Sequence, residues 1–321
     1  VVKLVAVARS GNEIDIIEAF VQHHCRIFDL LILIDDHSAD GTAEVLDRMK
    51  AAGYPIIVYK ARDVPWSQQH FVSILMRTAA ITHAATWVAP IDVDEFVEVA
   101  EGFTLPGLLS AYPDNVFEIR WSNFVWSRSD GNGGETNPVV RMRHRLPSRK
   151  DNAKVIVPGA LLRQDLNAHL SPGNHQLVVT GGDFAPLVFE PRMTLCHYPI
   201  RSVEQFTSKT VINYLRSSDV NGVRGDEENR RSFHYERPFE VVSGKIAPGP
   251  DKDIEAEMER MSRAYALKED APLQDESREA PLRYLGGPLT YTDRPVNALR
   301  NITVYAKRLA QRLAALEADR G

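Results

Sequence analysis

The sequence predicts an α/β protein with a mostly parallel central sheet flanked by helices and a helical C-terminal extension. Short apolar runs alternate with helical periodicity through the first 95 residues, the connections between them are short, and two of the runs end abruptly in clustered carboxylates. Alternating β and α with short connections implies parallel strands joined by right-handed crossovers. Carboxylates at the C-terminal ends of such strands stand where open α/β sheets bind ligands.

Leu4-Val5-Ala6-Val7-Ala8 reads as the first strand, and Arg9-Ser10-Gly11-Asn12 as the turn that ends it. Ile14, Ile17, Val21 and Cys25 recur at helical spacing. Leu30 to Ile34 is continuously apolar, as a strand buried on both faces requires. It stops at Asp35-Asp36-His37-Ser38-Ala39-Asp40-Gly41-Thr42, where Asp40 predicts an N-cap for a helix through Lys50 with Val45, Leu46 and Met49 inward. Ile56 to Tyr59 is a third strand. A third helix over 68–83 turns Phe71, Leu75, Thr78 and Ala79 or Ile81 inward. Trp87-Val88-Ala89-Pro90-Ile91 then delivers Asp92-Val93-Asp94-Glu95-Phe96.

Beyond residue 100 the pattern is mixed. An aromatic-rich strand over 116–125 leads to a Gly-rich loop, Ser129-Asp130-Gly131-Asn132-Gly133-Gly134, and short strands follow at Val155-Ile156-Val157, Leu177-Val178-Val179 and Met193-Thr194-Leu195. Residues 225–290 are polar and charged, with one helix over 253–267. The end, about 295–318, is helical, with Val296, Leu299, Ile302, Leu309, Leu313 and Leu316 as its apolar stripe. Arg300, Lys307, Arg308 and Arg312 form the other face, read as solvated, with a membrane-surface or partner contact as the alternative.

At 321 residues the chain can bury one large core or two modest ones, and its net charge of −5 argues against nucleic acid as the main partner. No apolar run approaches the roughly 20 residues that span a bilayer. No secretory signal is seen, and the start at Val1 rather than Met is read as removal of a few residues. A cytoplasmic protein with peripheral membrane contact is expected. Cys25 and Cys196 are the only cysteines, which excludes a disulfide scaffold and a Cys-based zinc site; both are read as buried free thiols.

The spacing of Asp92 and Asp94 is weak evidence by itself, because Asp251 and Asp253 repeat it in a polar stretch with no strand before them. Context carries the weight. Side chains two apart on an extended segment point the same way, so Asp92 and Asp94 are able to share a divalent cation. Asp35 and Asp36 would open on the same sheet edge, one cluster facing a base and ribose, the other a metal bridging a diphosphate.

These residues resemble a family. Val5-Ala6-Val7-Ala8-Arg9-Ser10-Gly11-Asn12-Glu13, Glu18 with His23-His24, Asp35 to Thr42 and Asp92 to Phe96 look like a GT-A-type nucleotide-sugar glycosyltransferase of the family 2 superfamily, especially its family 92-like branch. Gly173-Asn174-His175-Gln176-Leu177, His197-Tyr198-Pro199-Ile200-Arg201-Ser202, Gln205-Phe206 and Lys209 look like that branch too, although Ser10-Gly11 interrupts the usual R-N-E turn. The resemblance implies a GT-A (Rossmann-like) domain over 1–220, with a nucleotide-binding half at 1–100 and an acceptor half at 101–220. Residues 221–321 would be the extension. It also implies metal-dependent transfer from a nucleotide sugar, with uridine diphosphate as carrier, to a glycan or glycolipid hydroxyl with inversion. Asp36 would hydrogen-bond the nucleobase, with Ala8, Arg9, Asp35 and Glu13 near base or ribose. Asp94 would ligate Mn²⁺ or Mg²⁺, Asp92 ribose or metal, His197 would complete the metal shell, and Arg201 and Lys209 would neutralise the diphosphate.

For the general base, Asp183, Glu190, Asp165 and His175 follow the acidic motif, and Asp183 and Glu190 fall nearest the position expected from the family. Trp121, Phe124 and Trp126 are candidates to stack on a sugar face. Plainer roles stand beside these. Asp40 and Thr42 cap a helix. His23 and His24 are structural, and Trp121 and His197 serve equally well as core residues. A phospho-aspartyl phosphatase or phosphotransferase using Asp92, and an inactive sugar-binding module of the same fold, are the rival functions.

Overall fold

A computed structural model describes residues 2–61, 68–128, 137–146, 153–224, 233–245, 253–265, 274–275 and 296–318. The Gly-rich loop at 129–134 and Asp251 lie outside them. In chain order the elements are β1 (Leu4–Ser10), α1 (Ile17–His24), β2 (Leu30–Asp35), α2 (Thr42–Ala51), β3 (Ile56–Lys60), α3 (Gln68–Ile81), β4 (Trp87–Pro90) and β5 (Glu95–Val99). Then follow α4 (Leu105–Leu109), β6 (Val116–Phe124), α5 (Pro138–Arg141), β7 (His144–Leu146), β8 (Ala153–Pro158), α6 (Gly159–Gln164), β9 (His169–Leu170), β10 (Leu177–Val178) and β11 (Leu187–His197). The last are α7 (Val203–Arg224), α8 (Phe233–Val242), α9 (Ile254–Tyr265), β12 (Gln274–Asp275) and α10 (Ala298–Ala318).

A curled central sheet flanked by helices organises the chain. β3, β2, β1 and β4 lie side by side and parallel, and β8 joins β4 antiparallel to carry the sheet into β6 and β7. β11 runs parallel to β6 and antiparallel to β5. The alternation of side chains along β1 and β2 explains why these two strands form the centre. Leu4, Ala6, Ala8, Leu31 and Leu33 bury on one face with α1 and α2, whereas Val5, Val7, Ile32 and Ile34 bury on the other with α3. Each fully buried aliphatic side chain contributes roughly 1.5–3 kcal/mol, so only helices on both faces satisfy these strands.

Two helices sit differently from their sequence patterns. α3 buries Val72, Leu75, Met76, Ala79 and Ala80 and leaves Ile81 53% exposed, a stripe rotated by one residue from the expected one. α10 turns Asn301 and Tyr305 inward and exposes Leu299 (76%) and Leu313 (43%), so the expected apolar stripe is not its packing face. The reason lies in its neighbour: α10 packs on α7, which offers a charged side chain, Arg216, to Tyr305. The start of α2 also differs slightly. Gly41, at φ 104°, is the N-cap, and Asp40 one residue earlier accepts from Thr42 N and Ile14 N. Asp253 of the second D-x-D caps α9 through Ala256 N and pairs with Arg128. No helix among the described residues is long and apolar enough to cross a membrane. Cys196 is buried; Cys25 is partly buried, and burial pushes its thiol up to about 12.

His23 and His24 lock α1 to β5. His23 Nε2–H donates to Val97 O at 2.8 Å, His24 Nδ1–H donates to Phe20 O, and His24 Nε2 accepts from Val97 N at 3.2 Å. Burial depresses both, His23 to about 4. A depressed histidine is protonated first in the unfolded chain, so stability is full above about pH 6.5 and falls as pH drops toward 4. His23 alone accounts for about 3 kcal/mol across that window. Denaturant unfolding at a series of pH values should show this loss, and a midpoint flat across the window would contradict it.

Candidate active site

Ile91 N still bonds Val7 O at 3.1 Å, extending the β4 ladder, and then the chain turns. Glu95 N donates to Asp92 O at 3.0 Å and Asp92 N donates to Glu95 Oε2 at 2.8 Å, so Glu95 builds the turn rather than a ligand shell. Asp92 and Asp94 therefore sit on a turn, not on an extended segment, and meet different partners. Asp92 Oδ2 takes Lys154 Nζ at 2.7 Å. Asp94 Oδ2 takes Lys209 Nζ at 2.8 Å, with Arg201 Nη1 at 3.8 Å, and Asp94 Oδ1 lies 3.9 Å from His197 Nε2. Burial would raise the Asp94 carboxyl, but Lys209, His197 and Arg201 overcome it and hold it well below the usual range.

Lys154 was invisible as a functional residue in the sequence, where it interrupts the apolar run of β8. Its ammonium is 1% exposed, bonds Asp92 and Gly173 O at 2.7 Å each, lies 3.5 Å from Glu95 Oε1 and faces the Trp121 ring at 5.5 Å. Burial disfavours its charge, yet Asp92 and Glu95 outweigh that and its pKa is raised. Glu95, wholly buried, is pushed well above the carboxylate range despite Lys154.

These groups surround a cavity of about 410 Å³. Arg9, Glu13, Asp92 and Asp94 line it from the sheet edge, and Trp121, Lys154, Gly173, His175 and His197 from the second half of the chain. Lys209 and Arg216 reach it from one face of α7. Gly173 has φ +77°, and a Cβ there would stand 2.5 Å from His175 Nε2, so glycine is what lets the ring into the cavity wall. His175 Nδ1–H donates to Ala153 O at 2.7 Å, which leaves Nε2 as the acceptor nitrogen. Burial, then Lys154, lowers its pKa, so the ring is neutral near pH 7.

No protein-family model and no curated protein matches this chain. Solved structures do resemble it. A Staphylococcus aureus TarS structure (residues 1–349, with UDP) is 11% identical, covers 86% of this chain and 97% of its own, and has a TM-score of 0.40. GalNAc-T7 with UDP, GalNAc and Mn²⁺ is 16% identical over 86% of this chain and 59% of its own, also at 0.40. The mannosyltransferase PcManGT from Pyrobaculum calidifontis with GDP-Man and Mn²⁺ is 14% identical over 97% and 86%, again at 0.40. At that TM-score such likenesses carry no argument about function, which rests on the site itself.

Several residues singled out in the sequence stand elsewhere. Arg201 is fully buried, bonding Asp15 from Nε at 2.7 Å and Nη2 at 3.0 Å, with Glu13 and Tyr198 O as further partners. It braces the turn after β1 against the chain after β11, outside the cavity wall. Asp36 lies behind the wall, its Oδ2 shared between Arg9 and Arg216; burial would raise it, but the two guanidiniums bring it down to about 2. Asp35 is buried and accepts from Ser38 N at 3.3 Å, and Ala8 is a core residue of β1; neither lines the cavity.

Asp183 sits on an exposed turn, and Asp165 is bonded to Thr180 Oγ1 at 2.6 Å. Glu190 grips Arg192, seven residues up β11 from His197, roughly 20 Å along a strand. None of the three lines the cavity. Phe124 stacks on Tyr198 at 4.3 Å, and Trp126 is buried in the core with its backbone N–H donating to Ser262 Oγ at 3.4 Å, so neither lines the cavity; Trp121, stacked on His197 at 4.3 Å, is the one aromatic of the three on the wall.

Among the described residues no three His, Cys, Asp or Glu side chains converge as a metal cage. Asp94 and His197 nevertheless make a suitable two-ligand set. His197 Nδ1–H donates to Asn123 Oδ1 at 2.6 Å, which assigns Nε2, on the Asp94 side, as the acceptor. Burial holds His197 at about 4 despite Asp94, so the imidazole is neutral as a ligand must be. Mg²⁺ and Mn²⁺ commonly take one or two protein ligands and complete their shell with phosphate and water. These residues fit such an ion.

Removing Lys154 leaves Asp92 and buried Glu95 without their cation. Lys154→Met should destabilise the fold by about 3–5 kcal/mol in urea unfolding, and adding Glu95→Gln should restore part of the loss. Additive losses in the double variant would show that the two groups are not coupled.

Proposed function

We propose that this protein is a metal-dependent glycosyltransferase of GT-A type, moving a sugar from a nucleoside diphosphate carrier, uridine diphosphate by sequence resemblance, to a hydroxyl of a glycan or glycolipid acceptor with inversion. One observation carries the proposal: a single cavity at the carboxyl edge of the parallel strands holds a carboxylate–imidazole pair, four basic side chains and a neutral histidine. Lys209, beside Asp94, supplies positive charge where a diphosphate would depart, while Arg9 and Arg216 stand together at Asp36; fixed donors in a cavity stabilise developing charge without reorganising. Asp94 and His197 would hold Mn²⁺ or Mg²⁺. A divalent ion bound there supplies Lewis-acid stabilisation of the leaving diphosphate.

His175 is the general base in this reading. The acceptor oxygen forms its bond to the anomeric carbon as the bond from that carbon to the diphosphate oxygen breaks. The electron pair leaves with the nucleoside diphosphate, and the acceptor proton passes to His175 Nε2. Asp92, held by Lys154, and Glu13 accept from sugar hydroxyls, and Trp121 offers an apolar wall. The division into 1–220 and an extension fits this layout in its first part, since the acidic turn, His175, His197 and α7 all precede 225.

Release of nucleoside diphosphate from UDP- and GDP-sugars with Mn²⁺ and a panel of glycan acceptors tests the proposal. Asp94→Ala should abolish metal-dependent donor binding. His175→Ala should keep donor binding and lose turnover by about 100-fold or more. Absence of both nucleotide binding and turnover across all donors would refute the reading, whereas Asp92-dependent hydrolysis of simple phosphate esters would favour a phosphatase.

A further inference from the structure

Asp36 and the C-terminal helix meet through one side chain. Arg216, on α7, donates to Asp36 Oδ2 from Nη2 at 2.9 Å and lines the cavity. Its guanidinium carbon also stands over the Tyr305 ring of α10, 5.3 Å from the centroid. The guanidinium carbon of Arg308, a turn further along α10, stands 5.6 Å from the same ring's centroid. Tyr305 is 9% exposed, and Asn301, four residues earlier on the same face, is 0% exposed with neither amide atom hydrogen-bonded. The helix thus buries Tyr305 between two guanidiniums while leaving Leu299 and Leu313 in solvent.

On α7, Lys209 and Arg216 are seven residues apart, two turns along one face and about 10 Å in rise. Lys209 stands at the Asp94 end of the cavity, where the proposed function puts the diphosphate, so Arg216 stands at the nucleoside end. The Asp36 carboxylate fixes Arg216 from behind and Tyr305 fixes it from the side. A guanidinium carries only donors. It therefore suits bases that present a carbonyl oxygen on that edge, uracil O4 and guanine O6, and opposes cytosine and adenine, which present the N4 and N6 amino groups there.

We propose that α10 completes the nucleoside end of the donor site: Tyr305 is a positioning residue that holds Arg216 against Asp36, and Arg216 selects carbonyl-bearing bases by donating to them. This selection rests on the glycosyltransferase reading above and extends it to donor choice.

Calorimetric binding of UDP, GDP, CDP, ADP and pyrophosphate to the full chain with Mn²⁺ tests it. UDP or GDP should bind roughly tenfold more tightly than CDP and ADP, the scale of one charge-assisted hydrogen bond. Arg216→Gln should bring the four nucleotides to near parity without changing pyrophosphate affinity. Tyr305→Ala, which removes the ring, should reduce the preference, and Tyr305→Phe, which keeps the ring, should retain most of it. Equal wild-type affinity for all four nucleotides, or a preference that survives Arg216→Gln, would overturn the selection and leave the donor site standing. Loss of preference in Arg216→Gln but not in Tyr305→Ala would overturn the role of α10. Failure of the wild type to bind any of the five probes would instead overturn the glycosyltransferase reading.

Discussion

The ammonium of Lys154 is the contact on which the site depends. Three acidic side chains crowd the turn between β4 and β5, and a turn of that composition placed against an aromatic wall would repel itself apart. Lys154 enters from the neighbouring half of the sheet, binds Asp92 and Gly173 O and stands beside Glu95. One positive charge thus orients the Asp92 carboxylate, stands against the buried Glu95 carboxyl, whose ionisation burial disfavours, and ties down the Gly173 turn that presents His175. Because β8 pairs with β4 and β6 together, the strand that carries Lys154 is also the junction between the parallel and antiparallel parts of the sheet. Sheet continuity and charge balance are the same feature.

A second layer of charge surrounds the first. Arg201 draws Glu13 and Asp15 together without touching the cavity, while Arg9 and Arg216 share Asp36. Buried ion pairs rarely add net stability against apolar packing, so clusters of this kind are better understood as devices for position. Each places a side chain at the cavity wall in one orientation: Glu13 by Arg201, Arg216 by Asp36, Asp92 by Lys154.

The β–α alternation through residue 100 was legible in the sequence because each strand and helix there declares itself locally, and the clustered acids at the ends of β2 and β4 could be placed on one edge from topology alone. Lys154 and Arg216 were not legible. Their meaning comes from partners 62 and 180 residues away, at Asp92 and Asp36. Asp183 and Glu190 stand off the cavity for a related reason: they were chosen by distance along the chain, and the excursion through β9, β10 and the start of β11 carries them away from it. α10 shows the limit of periodicity. Its apolar stripe is real, yet the charged surface of α7 selected a different face.

α7 carries contacts at both ends of the cavity on a single rigid rod. Lys209 touches the acidic turn and Arg216 touches the end of β2, and no hinge separates them within that helix. A slide of α7 by one residue's rise, about 1.5 Å, would shift both contacts by the same amount and in the same direction. The helix therefore works as a caliper: whatever grips one jaw sets the opening of the other, and the two ends of a bound molecule are measured against each other rather than separately.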